Sequence, residues 1–140
     1  GMTKTESDAK AKAAANPYDA LIIALGVRDR EVLYDRINRR VDKMLEMGLA
    51  EETRRLYESG CLAANTTAAC AIGYKELLPW IRGEKTLGEC AEELKRATRR
   101  YAKRQLTWFS ASERANRFYI DDYADENELA KAVFELIDRS

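Results

Sequence analysis

Residues 98–109, TRRYAKRQLTWF, set four cations in their first seven positions and then add Trp108 and Phe109. Guanidinium forks match phosphate oxygens two at a time. A row of fixed cations also binds a polyanion by releasing its counterions. Extending the window back to Lys95 makes six of ten positions cationic, through Arg104. At about 100° per residue, Lys95, Arg96, Arg99, Arg100, Lys103 and Arg104 fall within one half of a helical cylinder. The other half carries Leu94, Ala97, Thr98, Tyr101, Ala102, Gln105, Trp108 and Phe109, and its aromatics are expected to anchor the helix to a core. A solvated charged face is the competing explanation, and it carries a cost. Glu92 and Glu93 can pair with Lys95 and Arg96, but the later cations have no acid three or four residues away. Four like-charge i,i+4 pairs then oppose the helix by about 1–2 kcal/mol in total. An acidic patch (Asp121, Asp122, Asp125, Glu126, Glu128) could fold back and relieve them.

The chain totals are less informative. The 140 residues suit one domain with a modest core. Basic and acidic residues number 24 each, so net charge discriminates nothing and only its distribution does. Cys61, Cys70 and Cys90 are odd in number and irregularly spaced, which argues against a disulfide framework. With no histidine and no C-x-x-C, a zinc site is not expected. Reduced thiols and a cytoplasmic location are expected instead. The longest apolar run, residues 20–25, is too short to span a membrane.

Those residues need elements to position them. Residues 1–16 read as a tag scar, Gly1 before Met2, followed by a disordered lead. Residues 17–27 hold YDALIIALG, an apolar run of the kind found in strands buried on both faces. No second such run exists, so an orphan core strand is expected, with its sheet upstream. Residues 28–140 read as helical. Asp29 caps a helix whose Leu33, Ile37, Val41 and Met44/Leu45 recur at helical spacing, with Gly48 as the stop. A short helix with Leu56 inward closes at Gly60. A third starts near Gly73 and bends or ends around Pro79. Thr86 and Glu89 form a capping box that opens the longest helix, about residues 87–112. RFYI is one short extended stretch. Asp125 and Glu128 cap a last helix with Leu129, Val133, Leu136 and Ile137 inward. The fold class expected is mainly α with one strand.

Three strings in this order, DREVLYDRINRRVDKMLEMGLAEE, AIGYKEL and TRRYAKRQLTWF, resemble the C-terminal part of bacterial tRNA dimethylallyltransferases over about residues 18–109. The resemblance implies the helical C-terminal part of a P-loop-type α/β transferase. Such enzymes move a dimethylallyl group from dimethylallyl diphosphate to N6 of the adenosine 3′ of the tRNA anticodon, with Mg²⁺ assisting. It also implies that the P-loop half and the general base lie upstream. The nearest string here, GEKT at residues 83–86, fails as a P-loop: Gly83 and Lys85 are not adjacent, and position 78 is Leu. No catalytic or metal-ligating residue is therefore assigned within the chain. Two segments match tRNA-contacting stretches of the family. The first is Cys70, Ala71, Ile72, Gly73, Tyr74 and Lys75, with Tyr74 as apt to brace its helix as to touch RNA. The second is Lys103, Arg104, Gln105, Leu106, Thr107, Trp108, Phe109 and Ser110, to which the cationic half adds Arg99 and Arg100. Expected partners are the tRNA anticodon stem-loop and the missing P-loop half, with self-association through the orphan strand. The rival is a free-standing helical module that binds RNA or an acidic protein without catalysis.

Overall fold

The computed structural model of the chain describes residues 3–5, 20–63, 66–110 and 114–140. The expected tag scar and lead, apart from residues 3–5, lie outside them, as do residues 111 and 112, which the sequence assigns to the longest helix. The elements in order are β1 (Ile22–Gly26), α1 (Arg30–Glu46), α2 (Leu49–Glu58), α3 (Tyr74–Ile81), α4 (Leu87–Ser110), β2 (Ala115–Tyr119) and α5 (Glu126–Ile137). Short 3₁₀ turns lie at Ala68–Cys70 and Ile120–Asp122. The mainly helical expectation holds. No helix among the described residues is long and apolar enough to cross a membrane.

The core is made by α1 to α4. Ile37 and Val41 of α1, Ala50 and Thr53 of α2, Leu77 and Leu78 of α3, and Cys90, Ala91 and Leu94 of α4 are buried, with Leu62 from the α2–α3 connection. The periodic apolar residues of α1 are those that point inward. Thr53 is the buried polar residue of this core, and its hydroxyl donates to the Leu49 carbonyl at 2.7 Å, so no polar group is stranded. Burial pushes the Cys90 thiol up from its ordinary value. Asp29 caps α1 by accepting from the Glu31 amide at 2.8 Å, and Asp125 caps α5 through the amides of Asn127 and Glu128. Pro79 sits within α3, which continues for two residues beyond it.

Three expectations are corrected. The strand is not an orphan: β1 pairs in parallel with β2, with Ile22 opposite Ala115 and Gly26 opposite Tyr119. Its partner reads ANRFY, which lacks the apolar run that marks a buried strand. Nor is β1 buried on both faces. Ala24 is buried, whereas Leu21, Ile22 and Leu25 are exposed, Leu25 by 52%. Finally, α5 buries none of its residues: Leu129, Val133 and Leu136 are half-covered, while Phe134 and Ile137 are exposed.

A clasp ties the sheet end to the start of α1. The Asp121 carboxylate accepts from the backbone amides of Arg28 (2.9 and 3.0 Å) and Asp29 (2.9 Å). The Arg28 guanidinium forks onto Asp122 at 2.7 and 2.8 Å and lies 4.0 Å over the Tyr119 ring.

Candidate nucleic-acid interface

Helix α4 carries the cations, and its start is fixed by the capping box read from sequence. The Glu89 carboxylate accepts from the Thr86 amide at 2.8 Å, and the Thr86 hydroxyl accepts from the Glu89 amide at 3.2 Å. The Thr86 backbone and hydroxyl contacts hold the Glu89 carboxyl below the usual range. Further along, the cationic half divides into two stripes. Lys95 bridges Asp42 of α1 (2.8 Å) and Glu92 (3.0 Å), and only 14% of its side chain is exposed. Arg99 donates to the Asn38 side chain at 2.6 Å and lies over Tyr34. As α4 numbers rise, their α1 partners fall from 42 to 38 to 34, so the two helices run antiparallel. The Lys95–Arg99 stripe is therefore a seam within the bundle, not an outward face. Arg99, expected on the outward cationic half, is half-buried against α1.

The other stripe, Arg96, Arg100 and Arg104, has no ion pair or polar hydrogen bond among the described residues. Arg104 stacks over Tyr101 at 5.6 Å. The relief that the acidic tail could have given does not occur among the described residues. Asp121 and Asp122 are committed to Arg28, Asp125 caps α5, and Glu128 accepts from the Ala124 amide.

The first segment meets this stripe. Cys70, Ala71 and Ile72 are exposed on the turn before α3. Gly73 follows with φ of 114°, a conformation that favours glycine, and its amide donates to the Glu76 carboxylate at 2.9 Å. The Tyr74 hydroxyl donates to Glu52 of α2, which holds its pKa above the ordinary phenol value. Tyr74 is thus a brace. Lys75 is exposed and lines, with Glu76, Pro79, Glu93, Arg96 and Arg100, an open groove of about 360 Å³ between α3 and α4. The two carboxylates of the groove are engaged elsewhere: Glu76 with the Gly73 amide and Glu93 with Lys85 at 2.6 Å. Its three cations are left to the solvent side.

The second segment is split by the structure. Lys103, Arg104 and Gln105 are exposed. Lys103 shares a small recess with Arg30, Leu33, Tyr34 and Thr107 on the α1 side. The Thr107 hydroxyl donates to the Lys103 carbonyl (3.0 Å) and the Ser110 hydroxyl to the Thr107 carbonyl (2.8 Å), so both donors serve their own helix. Leu106, Phe109 and Ser110 line a cleft of about 270 Å³ against β1 and Tyr119. Arg117 of β2 reaches the Ser110 carbonyl at 2.9 Å.

The aromatics do not anchor α4 as expected. Trp108 is 73% exposed, Phe109 and Tyr101 are also exposed, and Trp108 meets Phe109 edge to face at 4.8 Å. The reason is length. At 24 residues α4 is about 36 Å long, and its buried residues all lie in its first third. Arg96 escaped the sequence-based site; its i,i+4 spacing from Arg100 was the available signal. Arg30, Tyr34 and Asn38 also escaped it, since only antiparallel packing brings them to α4.

A helical bundle with a basic groove and an edge sheet is the class of structure defined here. The IPP transferase family model matches residues 1–112. The chain belongs to that family. It is 44% identical over 123 residues to the tRNA dimethylallyltransferase of Thermoanaerobacter sp. (strain X514), covering 87% of this chain and 39% of that protein. It is 55% identical over 96 residues to that of Streptococcus pyogenes serotype M49, covering 69% and 31%. Among solved structures it superposes on the tRNA isopentenylpyrophosphate transferase of Bacillus halodurans with a TM-score of 0.78 and 40% identity, over 94% of this chain and 42% of that one. The chain thus spans about two fifths of the length of such relatives. No grouping of three or more carboxylates or thiols that could hold a metal ion exists among the described residues.

Proposed function

We propose that this chain is the helical, tRNA-gripping part of a tRNA dimethylallyltransferase, C-terminal to the P-loop half that carries out dimethylallyl transfer. The observation that carries this reading is the α3–α4 groove, where Lys75, Arg96 and Arg100 converge while its carboxylates are engaged elsewhere. Such a surface favours a polyanion, and the relatives' names supply tRNA as the one to test. In this reading Gln105 and the exposed Trp108 and Phe109 lie beside the anticodon loop, where an unpaired base can stack and be read on its edges. Arg99 and Tyr74 position helices and do not touch RNA. Mg²⁺ and dimethylallyl diphosphate belong to the P-loop half.

The test is tRNA binding by the 140-residue chain across a salt series. Binding is expected to weaken linearly on a log–log plot, with a slope equal to several released counterions. Reversing charge at Lys75, Arg100 and Lys103 together is expected to abolish it while the helical circular dichroism stays unchanged. Absence of tRNA binding even at low salt would remove this reading and favour an acidic protein partner. The same chain mixed with tRNA and dimethylallyl diphosphate is expected to form no prenylated product; product would place the catalytic residues here.

A further inference from the structure

The connection from α2 to α3 carries two of the three cysteines, one near each end, and the proposed function draws on neither thiol. Both are exposed, whereas Cys90 is buried in the core and its thiol is held toward the protonated form. The backbone is pinned at each end of the connection. Cys61 precedes Leu62, which is buried and donates its amide to the Leu56 carbonyl at 3.3 Å. Cys70 closes the 3₁₀ turn, its amide donating to the Thr67 carbonyl at 3.2 Å. Thr66 joins the two ends. Its hydroxyl shares its proton between the carbonyls of Cys61 (3.2 Å) and Ala63 (3.0 Å) and accepts from the Ala69 amide at 3.2 Å. One half-buried side chain thus links the backbone of Cys61 to the residue that precedes Cys70.

We infer that Cys61 and Cys70 form a reversible oxidation site, which closes to an intrachain disulfide when the low-molecular-weight disulfides around the chain accumulate. The chemistry is thiol–disulfide exchange. The thiolate of one cysteine attacks a sulfur of glutathione disulfide, forms a mixed disulfide and expels one glutathione thiolate. The second cysteine then attacks the protein sulfur of that mixed disulfide and expels the other. Two protein thiols are oxidised, one glutathione disulfide is reduced to two thiols, and the two protons pass to them. The dithiol is the resting state, and the bond fastens the end of α2 to the turn before α3. Cys90 takes no part, because it is covered and attack requires an accessible thiolate. A disulfide needs its α-carbons within about 7 Å. The folded connection therefore either favours the bond over a free chain or forbids it, and the shared Thr66 hydroxyl points to the first.

The test equilibrates the 140-residue chain with glutathione buffers of rising disulfide content, once folded and once in urea, then quenches with acid and alkylates. Cleavage after Arg55 and Lys75 releases both cysteines on one peptide and leaves Cys90 on another. The bond then reads as a loss of two hydrogens from that peptide, with no alkylation. In urea the pair is expected to close with an effective concentration on the order of millimolar, as a short flexible chain does. In the folded chain the value is expected to be at least about tenfold higher, because the ends are already ordered. Thr66→Val removes the shared hydroxyl and is expected to lower the folded value about fivefold, leaving the urea value unchanged. A folded value at or below the urea value would overturn the inference, since the fold would then hold the thiols apart. Oxidation that yields disulfide-linked dimers on a non-reducing gel, or an unchanged folded value in Thr66→Val, would overturn it too. The proposed function is read by tRNA binding and stands or falls separately.

Discussion

Trp108 and Leu94 lie fourteen residues apart on one helix and have opposite roles. Leu94 is 1% exposed, whereas Trp108 is mostly in solvent. Leu94→Ala is expected to destabilise the chain by about 2–5 kcal/mol, the range for a large aliphatic removed from a core. Trp108→Ala is expected to stay within about 0.5 kcal/mol, as for a surface position. Urea midpoints measured on the two variants check this, and a large loss at Trp108 would mean it is covered in solution. Gly26 offers a second contrast. A β-carbon there would sit 3.1 and 3.2 Å from ring atoms of Tyr119, so Gly26→Ala should displace that ring and with it the stacking of Arg28. The capping residues Asp29, Thr86, Glu89 and Asp125 were legible in the sequence because a cap depends on residues two or three positions away. Trp108 was not. An amphipathic pattern tells which side of a helix is apolar, but not how far along the helix a neighbour covers it.

At the level of elements, the joint between β2 and α1 depends on ionised carboxylates. Hydrogen bonds from the Arg28 and Asp29 amides hold the Asp121 carboxyl below the usual range, and Glu89 is lowered by the Thr86 cap. A lowered folded-state pKa means each contribution is complete above the ordinary carboxylate range and disappears as pH falls through the lowered value. Lys95 behaves in the opposite sense. Its pKa is raised by Asp42 and then Glu92, so its contribution holds through neutrality and is lost only in strong alkali. Thermal midpoints should therefore be flat around neutrality and fall on acidification. Asp121→Asn should lower the neutral midpoint and shrink the acid fall, and an unchanged acid limb would show that the clasp contributes nothing. The helices on either side of this joint were readable because their period is local. The joint itself connects residues more than ninety positions apart, and no pattern in IDDY points to the amides it caps.

At the scale of the whole molecule, the sheet among the described residues has two strands, too few to be stable without packing against something else. That β1 forms a strand was evident from its apolar run; that it pairs with β2 was not, because parallel partners need no adjacency and ANRFY alternates weakly. The two strands also differ in how they protect an edge. β2 carries Arg117, while β1 reads IIALG, with no charge, no proline and exposed Ile22 and Leu25. Unpaired backbone groups beside exposed aliphatic side chains are a template for another strand. Among the described residues the second edge of β1 pairs with nothing, so a second copy of the chain is the partner always present in a purified sample. Self-association that grows with concentration is therefore expected in light scattering, and Leu25→Lys should suppress it by placing a charge on that edge without touching the α1–α4 core. If the chain stays monomeric at every concentration, the β1 edge is already covered, and Leu25→Lys should then destabilise the fold instead of leaving it unchanged.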